Sequence, residues 1–437
     1  MSIEVSTPNA RPHSTGVDRD AVLKQWLTLR ADLPQAPDWV QGVRDRALPL
    51  LQEQALPTLR DEDWRFTDLA PLYQVAWQAA SPTGLQIGDL PLRTGLEGAL
   101  QLICVNGFYA PHLSTTDSNL TVQSLTTLEP SLQPYLGQQP QAGDVFASLN
   151  TYSLSDVLVL RVPPNQSLEQ PIHCLFITVG DLPIMAHPRL LVVAESGSVA
   201  TLIEDYVSLG TAPVFTNAVS ELFVAANATL NHVRLQRQSL DTFHIGKTGV
   251  TQAQDSHYRA FNLSWGAQIS RHEPEVILQG AQTDTQLDGL TLAVGTQLAD
   301  THSAIAFQQP RCTARQLHKC IIDDRARAVF NGKIFVPKVA QETNAGQLSR
   351  NLLLSPKARV DTKPQLEIVA DNVKCAHGAT VSQLDADEVF YLQSRGLDHD
   401  SACDLLVNAF ATEVIDKVPV PELRPALRQA ILAQLHS

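Results

Sequence analysis

Residues 189–230 read RLLVVAESGSVATLIEDYVSLGTAPVFTNAVSELFVAANATL, and the fold of the chain can be inferred outward from this stretch. Two similar strings in it, residues 198–202 (SVATL) and 226–230 (ANATL), each begin a new apolar run directly after a turn. Related strings at residues 326–329 (ARAV) and 357–360 (KARV) repeat this arrangement at irregular intervals. Short apolar runs bounded by Gly, Ser, Asn and Pro predict β-strands joined by turns.

The same texture extends from about residue 100 to residue 383. No amphipathic helix pattern of 10–15 residues lies between the apolar runs, which argues against a doubly wound α/β fold. Strand and turn units that nearly repeat over such a length favour a parallel β-helix. On these residues alone, a β-sandwich remains the alternative.

Helical patterns flank this β region on both sides. Asp18 is placed to cap a first helix, Asp385 is placed to cap a helix near the C-terminus that ends at Gly396, and a further helix follows Asp398. We therefore predict an N-terminal helical region (1–80), a β core (81–384) and a C-terminal helical domain (385–437). The helix after Asp398 has an apolar stripe that we expect to pack within this last domain: Ala402, Leu405, Leu406, Ala409, Phe410 and Val414.

Composition excludes several classes of function. A net charge of −13 disfavours nucleic acid as a partner, because phosphate binding needs a basic surface. No apolar run is long enough for a membrane span, and the first residues lack the apolar core of a secretory signal, so we expect a cytoplasmic protein. The six cysteines include no C-x-x-C pair and are expected to be free thiols.

The candidate chemistry lies in residues 373–396, which read VKCAHGATVSQLDADEVFYLQSRG. Cys375 and His377 are two residues apart, so on a strand both side chains face the same side. Thiolate and imidazole are ligands used in iron–sulfur chemistry. Residues 241–248 (DTFHIGKT) lack the first glycine of a P-loop, and other common catalytic motifs are absent from the sequence. The alternative is a β-helix enzyme acting on a polysaccharide, which requires an exposed groove of carboxylates and basic side chains.

Residues 373–396 resemble the C-terminal signature of the SufD family, whose members are scaffold subunits of the SUF system for iron–sulfur cluster assembly. The resemblance spans most of the chain. It is carried by residues 56–69 (LPTLRDEDWRFTDL), 102–114 (LICVNGFYAPHLS), 187–206 (HPRLLVVAESGSVATLIEDY), 328–343 (AVFNGKIFVPKVAQET) and 351–368 (NLLLSPKARVDTKPQLEI).

The resemblance implies a right-handed parallel β-helix and a non-catalytic scaffold role. It implies pairing with a SufB-like paralogue, docking of a SufC-like ABC ATPase on the C-terminal helices, and an indirect link to a cysteine desulfurase system. We expect Glu413 and Lys417 to face that ATPase, and we expect the chain to self-associate as a homodimer when the paralogue is missing.

The resemblance also assigns roles to the Cys-x-His pair. His377 corresponds to the family histidine that faces SufB, where a nascent cluster is ligated, and Cys375 is the nearby family cysteine. Residues 344–349 (NAGQLS) lack the ligand cysteine that the paralogue has there, so this chain holds half of a site. The implied cofactor is a transient iron–sulfur cluster in the complex, with none expected in the isolated chain.

Overall fold

The computed structural model describes residues 18–33, 36–86, 88, 90, 96–115, 117–138 and 144–436. The helices in these residues lie mainly near the two ends of the chain. They are α1 (Arg19–Thr28), α2 (Asp38–Glu53), α3 (Ala70–Tyr73), α4 (Val145–Tyr152), α5 (Ala386–Ser394), α6 (His399–Ile415) and α7 (Leu423–Leu435).

Strands fill most of the chain between α3 and α5. They are β1 (Gln78–Ala79), β2 (Leu100–Val105), β3 (Phe108–Tyr109), β4 (Thr121–Gln123), β5 (Leu158–Val162), β6 (Ile172–Val179), β7 (Ile184–Ala186), β8 (Arg189–Ala194), β9 (Val199–Leu209), β10 (Val214–Val224), β11 (Thr229–Gln236), β12 (Thr242–Gln252), β13 (His257–Ser264), β14 (Ile269–Leu278), β15 (Asp284–Ala293), β16 (Leu298–Phe307), β17 (Thr313–Ile322), β18 (Arg327–Val336), β19 (Asn344–Leu353), β20 (Arg359–Ile368) and β21 (Lys374–Ser382).

These strands form two long sheets that wind as one β-helix. From β8 onward the even-numbered strands form the first sheet and the odd-numbered strands the second, and neighbours in each sheet are parallel. The β-helix has about eight coils, and each coil contributes one strand to each sheet. This arrangement confirms the predicted parallel β-helix, and the β-sandwich alternative is wrong because a sandwich is built from antiparallel strands.

The interior of the β-helix is apolar along one side and polar along the other. Leu230 and Val250 belong to the apolar core cluster. His232 and Arg234 share the inward row of β11 with Leu230, and His244 shares that of β12 with Val250, and all three are buried. We call this second side the polar lane, which continues through inward-facing side chains of later coils: His272, Thr291, Gln316, His318 and Gln347.

Burial lowers the pKa of two imidazoles in the later coils of the polar lane, those of His272 and His318. Burial lowers the pKa of His318 to about 4. Burial, together with the nearby charges of Arg234 and other histidines, also lowers the pKa of His272. Hydrogen bonds to threonine hydroxyls hold both rings, at 3.0 Å from Thr248 to His272 and 3.1 Å from Thr291 to His318. These two imidazoles are therefore neutral, hydrogen-bonded members of the lane at physiological pH.

Residues 56–69, which we call the N-terminal arm, are held on the outer face of the first sheet by a buried arginine. The Arg271 guanidinium lies 3.7 Å from the ring centroid of Trp64 and donates a 2.7 Å hydrogen bond to the Asp63 carbonyl oxygen. The same side chain pairs with Asp300 at 2.6 Å, and Asp300 accepts a hydrogen bond from the Thr67 hydroxyl. We call these contacts the Arg271 clamp. They account for the tryptophan and the threonine in the string D-E-D-W-R-F-T of residues 61–67.

The C-terminal helices share a core with the second sheet. Val407 and Val414 of α6 belong to the same buried cluster as Phe261 and Leu290, which lie on the outer face of that sheet. The predicted stripe is therefore partly wrong, since Leu405 is 49% exposed and Ala409 is exposed. The helix is rotated so that it buries positions facing the sheet.

Charged contacts fix α6 on the same sheet. The Lys319 ammonium lies 2.5 Å from the Glu413 carboxylate and donates to the Phe410 carbonyl oxygen at 2.7 Å. Lys417 lies 3.3 Å from Asp288, whose side chain is buried. Glu413 and Lys417 thus contact the β-helix of their own chain while their side chains remain 42% and 38% exposed, and the expectation that they face an ATPase stays a prediction.

The helix boundaries follow the predicted caps. Asp18 accepts a hydrogen bond from the Ala21 amide, and Asp385 and Asp398 cap α5 and α6 in the same way. Gly396 has a φ of +99°, which a residue with a side chain rarely adopts, and it follows the end of α5. Among the described residues, no helix combines the length and the apolar character that crossing a membrane requires.

Candidate functional site at the open end of the β-helix

The last coil of the β-helix leaves two strand edges without a neighbour in the described residues. β20 ends the first sheet and pairs with β18 alone, and β21 ends the second sheet and pairs with β19 alone. We call residues 359–382, which contain both strands, the terminal coil. Earlier strands bury alternate residues, whereas most residues of β21 are exposed. The interior of the β-helix is therefore open to solvent at this end.

Cys375 and His377 lie on β21 at this opening. The ladder pairs Cys375 with Ala345 and His377 with Gln347, and both partners are buried positions of β19. Cys375 is half-buried and packs against the apolar core, whereas His377 is exposed. The two residues thus share the inward row of the last strand, and the imidazole ring of His377 is accessible from outside.

The two side chains differ in what they can do chemically. Burial raises the pKa of the Cys375 thiol, and the Ala345 amide and the Arg315 guanidinium offset this only in part. Cys375 is therefore mainly protonated at neutral pH and loses its proton when it binds a metal. The exposed ring of His377 offers a nitrogen whose lone pair can bind soft or borderline metals.

The pair has no third donor of the same kind beside it. Within the described ranges, no group of three or more His, Cys, Asp or Glu side chains is arranged to hold a metal ion. A cluster or metal ion bound by Cys375 and His377 requires further ligands from outside this set. This geometry is compatible with the predicted half site, and the ligand roles themselves stay predictions.

Sequence reasoning missed the polar residues beneath the pair. Gln347, Ser349 and Asn351 alternate along β19 and are all buried. The string NAGQLSRN, at residues 344–351, shows these polar residues at a period of two, which is the signal that could have identified an inward polar row.

Exposed apolar side chains surround the open end. On the terminal coil, Ile368 is 41%, Val369 57% and Val381 52% exposed. A second group lies on and after α5, where Phe390 is 69% and Tyr391 56% exposed. The second group also includes Leu397 and Leu405, and we call it the α5 patch. Exposed apolar groups of this kind mark surfaces that bind other proteins.

A charged groove lies elsewhere, between residues 54–64 and the outer face of the first sheet, with a volume of about 500 Å³. It has the mixture of carboxylates and basic groups that a polysaccharide-acting enzyme requires. Its ions are paired with one another, however: Lys247 lies 3.2 Å from Asp144 and 3.3 Å from Glu275. Arg271, which also lines the groove, belongs to the Arg271 clamp. The groove is therefore explained by the attachment of the N-terminal arm.

Known proteins match this chain along most of its length. A family model described as "SUF system FeS cluster assembly, SufBD core domain" matches residues 176–410. An iron–sulfur cluster assembly SufBD family protein of Synechocystis is 46% identical, covering 96% of this chain and 96% of that protein. The iron–sulfur cluster assembly protein SufD of Escherichia coli is 32% identical, covering 89% of this chain and 90% of that protein. SufD of Bacillus subtilis is 24% identical, covering 94% and 97%.

Proposed function

Because this chain belongs to the SufBD family of iron–sulfur cluster assembly proteins of the SUF system, we propose that it acts as a non-catalytic scaffold subunit on which a nascent cluster is built. The observation that carries this proposal is the placement of His377, exposed on the last strand of an open-ended β-helix. The cluster is cargo of the complex and is handed on after assembly.

The terminal coil is the proposed surface for a SufB-like paralogue. β20 and β21 present backbone edges that pair with no further strand of the described residues, and Val369 and Val381 add exposed apolar area beside them. An exposed strand edge binds another chain by adding a strand to the sheet, and apolar side chains strengthen the contact. Such pairing brings ligands of the partner beside His377 and completes the half site. When the paralogue is missing, a second copy of this chain takes its place and forms a homodimer.

The α5 patch is the proposed docking surface for a SufC-like ABC ATPase. Phe390 and Tyr391 are more than half exposed, whereas Glu413 and Lys417 are engaged with the β-helix. We therefore propose that the ATPase contact, expected on the C-terminal helices, centres on α5 and the start of α6 rather than on the polar side of α6. Exposed aromatic side chains are typical of the residues that contribute most to protein–protein affinity.

The experiment that tests the scaffold proposal is reconstitution with the two partner subunits and a cysteine desulfurase as sulfur source. Iron and acid-labile sulfide on the purified complex are measured for the natural chain, for His377→Ala and for Cys375→Ser. We expect His377→Ala to assemble the complex normally and to lose most of the bound cluster, because a lost ligand weakens metal binding far more than it perturbs the fold. Cys375→Ser is expected to have the milder effect.

His112→Ala provides the matched control. His112 is also exposed, and it follows β3, which lies at the opposite end of the second sheet from β21. Its replacement should leave both assembly and cluster content unchanged. Normal cluster content on the His377→Ala complex would show that His377 is not a ligand, and the proposal would then be reduced to protein–protein contacts.

A further inference from the structure

A relay of side-chain amides runs through the polar lane toward the open end of the β-helix. Gln316 donates from Nε2 to the Ser303 hydroxyl at 2.8 Å, and Gln347 donates from Nε2 to Gln316 Oε1 at 2.7 Å. The side-chain nitrogen of each glutamine therefore donates a hydrogen bond to the preceding residue of the relay. The relay consequently fixes the orientation of Gln347 and determines where its carbonyl oxygen points.

Gln347 has little freedom to adopt another position. The side chain is only 3% exposed, and it lies against Gly332 of the opposite sheet. A Cβ atom added at Gly332 would lie 2.2 Å from Gln347 Nε2 and 2.7 Å from its Cδ. The absence of a side chain at residue 332 therefore makes room for the amide, which is held from both sides.

The carbonyl oxygen of Gln347 is a buried acceptor without a hydrogen-bond partner among the described residues. Buried polar atoms without a partner are uncommon in folded proteins, and such an atom near a binding site is a reason to look for a donor. The amide nitrogen of Gln347 already donates to Gln316, and the atom without a partner is an oxygen. The missing group is therefore a hydrogen-bond donor.

His377 is the next member of the same inward row. The ladders pair Gln316 with Gln347 and Gln347 with His377, so these residues occupy equivalent positions on β17, β19 and β21. Neighbouring strands lie about 4.8 Å apart, which brings consecutive side chains of a row within hydrogen-bonding reach. His377 is exposed on the last strand, and we infer from this exposure that its ring can rotate toward Gln347.

We propose that Gln347 is a positioning residue for His377: its carbonyl oxygen accepts a hydrogen bond from one ring N–H of His377. A neutral imidazole has one N–H donor and one lone-pair nitrogen, so this bond selects the tautomer and presents the other nitrogen to the cluster. Histidines that bind metals generally donate their second ring nitrogen to such an acceptor. The inference rests on the proposed ligand role of His377 and extends it to the preceding coil.

The test measures the tautomer of His377 directly. In the full-length chain with ¹⁵N-labelled histidine, long-range ¹H–¹⁵N correlation spectra distinguish the two tautomers, and His377→Ala identifies the signals of that ring. We expect one tautomer to dominate in the natural chain. Gln347→Met, which keeps the volume and removes the acceptor, should return His377 to the tautomer mixture of a free histidine. Gln347→Glu, which restores an acceptor, should restore the bias.

A second readout is cluster content on the complex reconstituted with its two partners. Gln347→Met is expected to weaken cluster binding about 10- to 100-fold, the usual effect of losing a partner of a metal-binding histidine. Gln365→Met is the control, because Gln365 lies on β20 of the terminal coil, like His377, but lines the charged groove on the outer face. Thermal unfolding of each variant establishes that the chain remains folded.

The outcomes separate this inference from the proposed function. Loss of cluster with His377→Ala, but an unchanged tautomer and unchanged cluster content with Gln347→Met, would overturn the positioning role and leave the ligand role intact. A tautomer bias that depends on Gln347, combined with normal cluster content for His377→Ala, would overturn the ligand role and with it the purpose of the hydrogen bond.

Discussion

Replacing Arg271 with methionine is expected to destabilise the attachment of the N-terminal arm by about 3–5 kcal/mol, because the change leaves buried carboxylates without their counter-ion. The Arg271 side chain is 2% exposed and that of Asp300 is 0% exposed, so solvent cannot replace the lost charge. Asp300 retains the Thr67 hydroxyl and His302 at 3.1 Å, which places the expected value toward the lower end of this range. Methionine keeps much of the side-chain volume but loses the hydrogen bond to the Asp63 carbonyl.

The assay is urea unfolding followed by tryptophan fluorescence, combined with hydrogen exchange of residues 56–69. Trp64 lies directly on the Arg271 guanidinium, so its emission reports the clamp. If the arm and the β-helix unfold together, the free energy of unfolding falls by the expected amount. If the arm separates first, the amides of residues 56–69 exchange faster than those of the β-helix core, and the same loss is read from that segment alone.

Arg327→Met is the matched control for this prediction. Arg327 also contacts an aromatic ring of the arm, at 5.1 Å from the centroid of Phe66, and pairs with Asp361 at 2.6 Å. Its side chain is 35% exposed, and an ion pair accessible to solvent contributes at most about 1 kcal/mol. Equal losses for the two variants would refute the reasoning, since burial of the Arg271 clamp would then have no energetic consequence.

Three further predictions concern the acid response, the α5 patch and the polar lane. Burial alone would raise the pKa of Asp300, but Arg271 and other partners hold it at about 2, below its ordinary 3.8. The clamp should therefore be intact above about pH 4 and be lost as the pH falls toward 2. Hydrogen exchange of residues 56–69 across this pH range measures the loss. Phe390→Ser should weaken binding of the ATPase subunit at least tenfold, whereas Lys417→Ala should leave it unchanged, as measured by calorimetry; the reverse order would contradict the placement of the α5 patch. Gly332→Ala should destabilise the chain by about 1–3 kcal/mol through overpacking against the relay, which thermal or urea unfolding measures; unchanged stability would mean that Gln347 moves freely.

The strands and turns could be predicted because they depend on local patterns. Apolar runs such as residues 189–194 and the repeated strings after turns favoured the parallel β-helix over a sandwich, and the family resemblance then implied it directly. The caps at Asp18 and Asp385 and the helix after Asp398 lie at the predicted positions. Cys375 and His377 could be placed on one face because a strand has a fixed period of two. Each of these inferences needs only a residue and its near neighbours along the chain.

The contacts between distant segments could not be predicted in this way. The side of α6 that faces the second sheet depends on where Lys319 and Asp288 lie in space, and neither is near Glu413 or Lys417 in sequence. The same is true of Arg271, whose partners in the N-terminal arm lie about 200 residues away along the chain. The relay from Ser303 to Gln347 also joins three separate strands, so no single stretch of sequence contains it.

The edges of β20 and β21, which pair with no further strand of the described residues, also affect the tendency of the chain to aggregate in a cell. Backbone groups on a free edge accept any strand that fits, including one from an unfolded or misfolded protein. A newly synthesised copy that finds no partner therefore exposes a surface on which fibrous aggregates can start to grow. If the proposed SufB-like partner covers these edges, balanced synthesis of the two chains serves protein quality control as well as assembly, because each copy made in excess adds an adhesive surface that chaperones or proteases must remove.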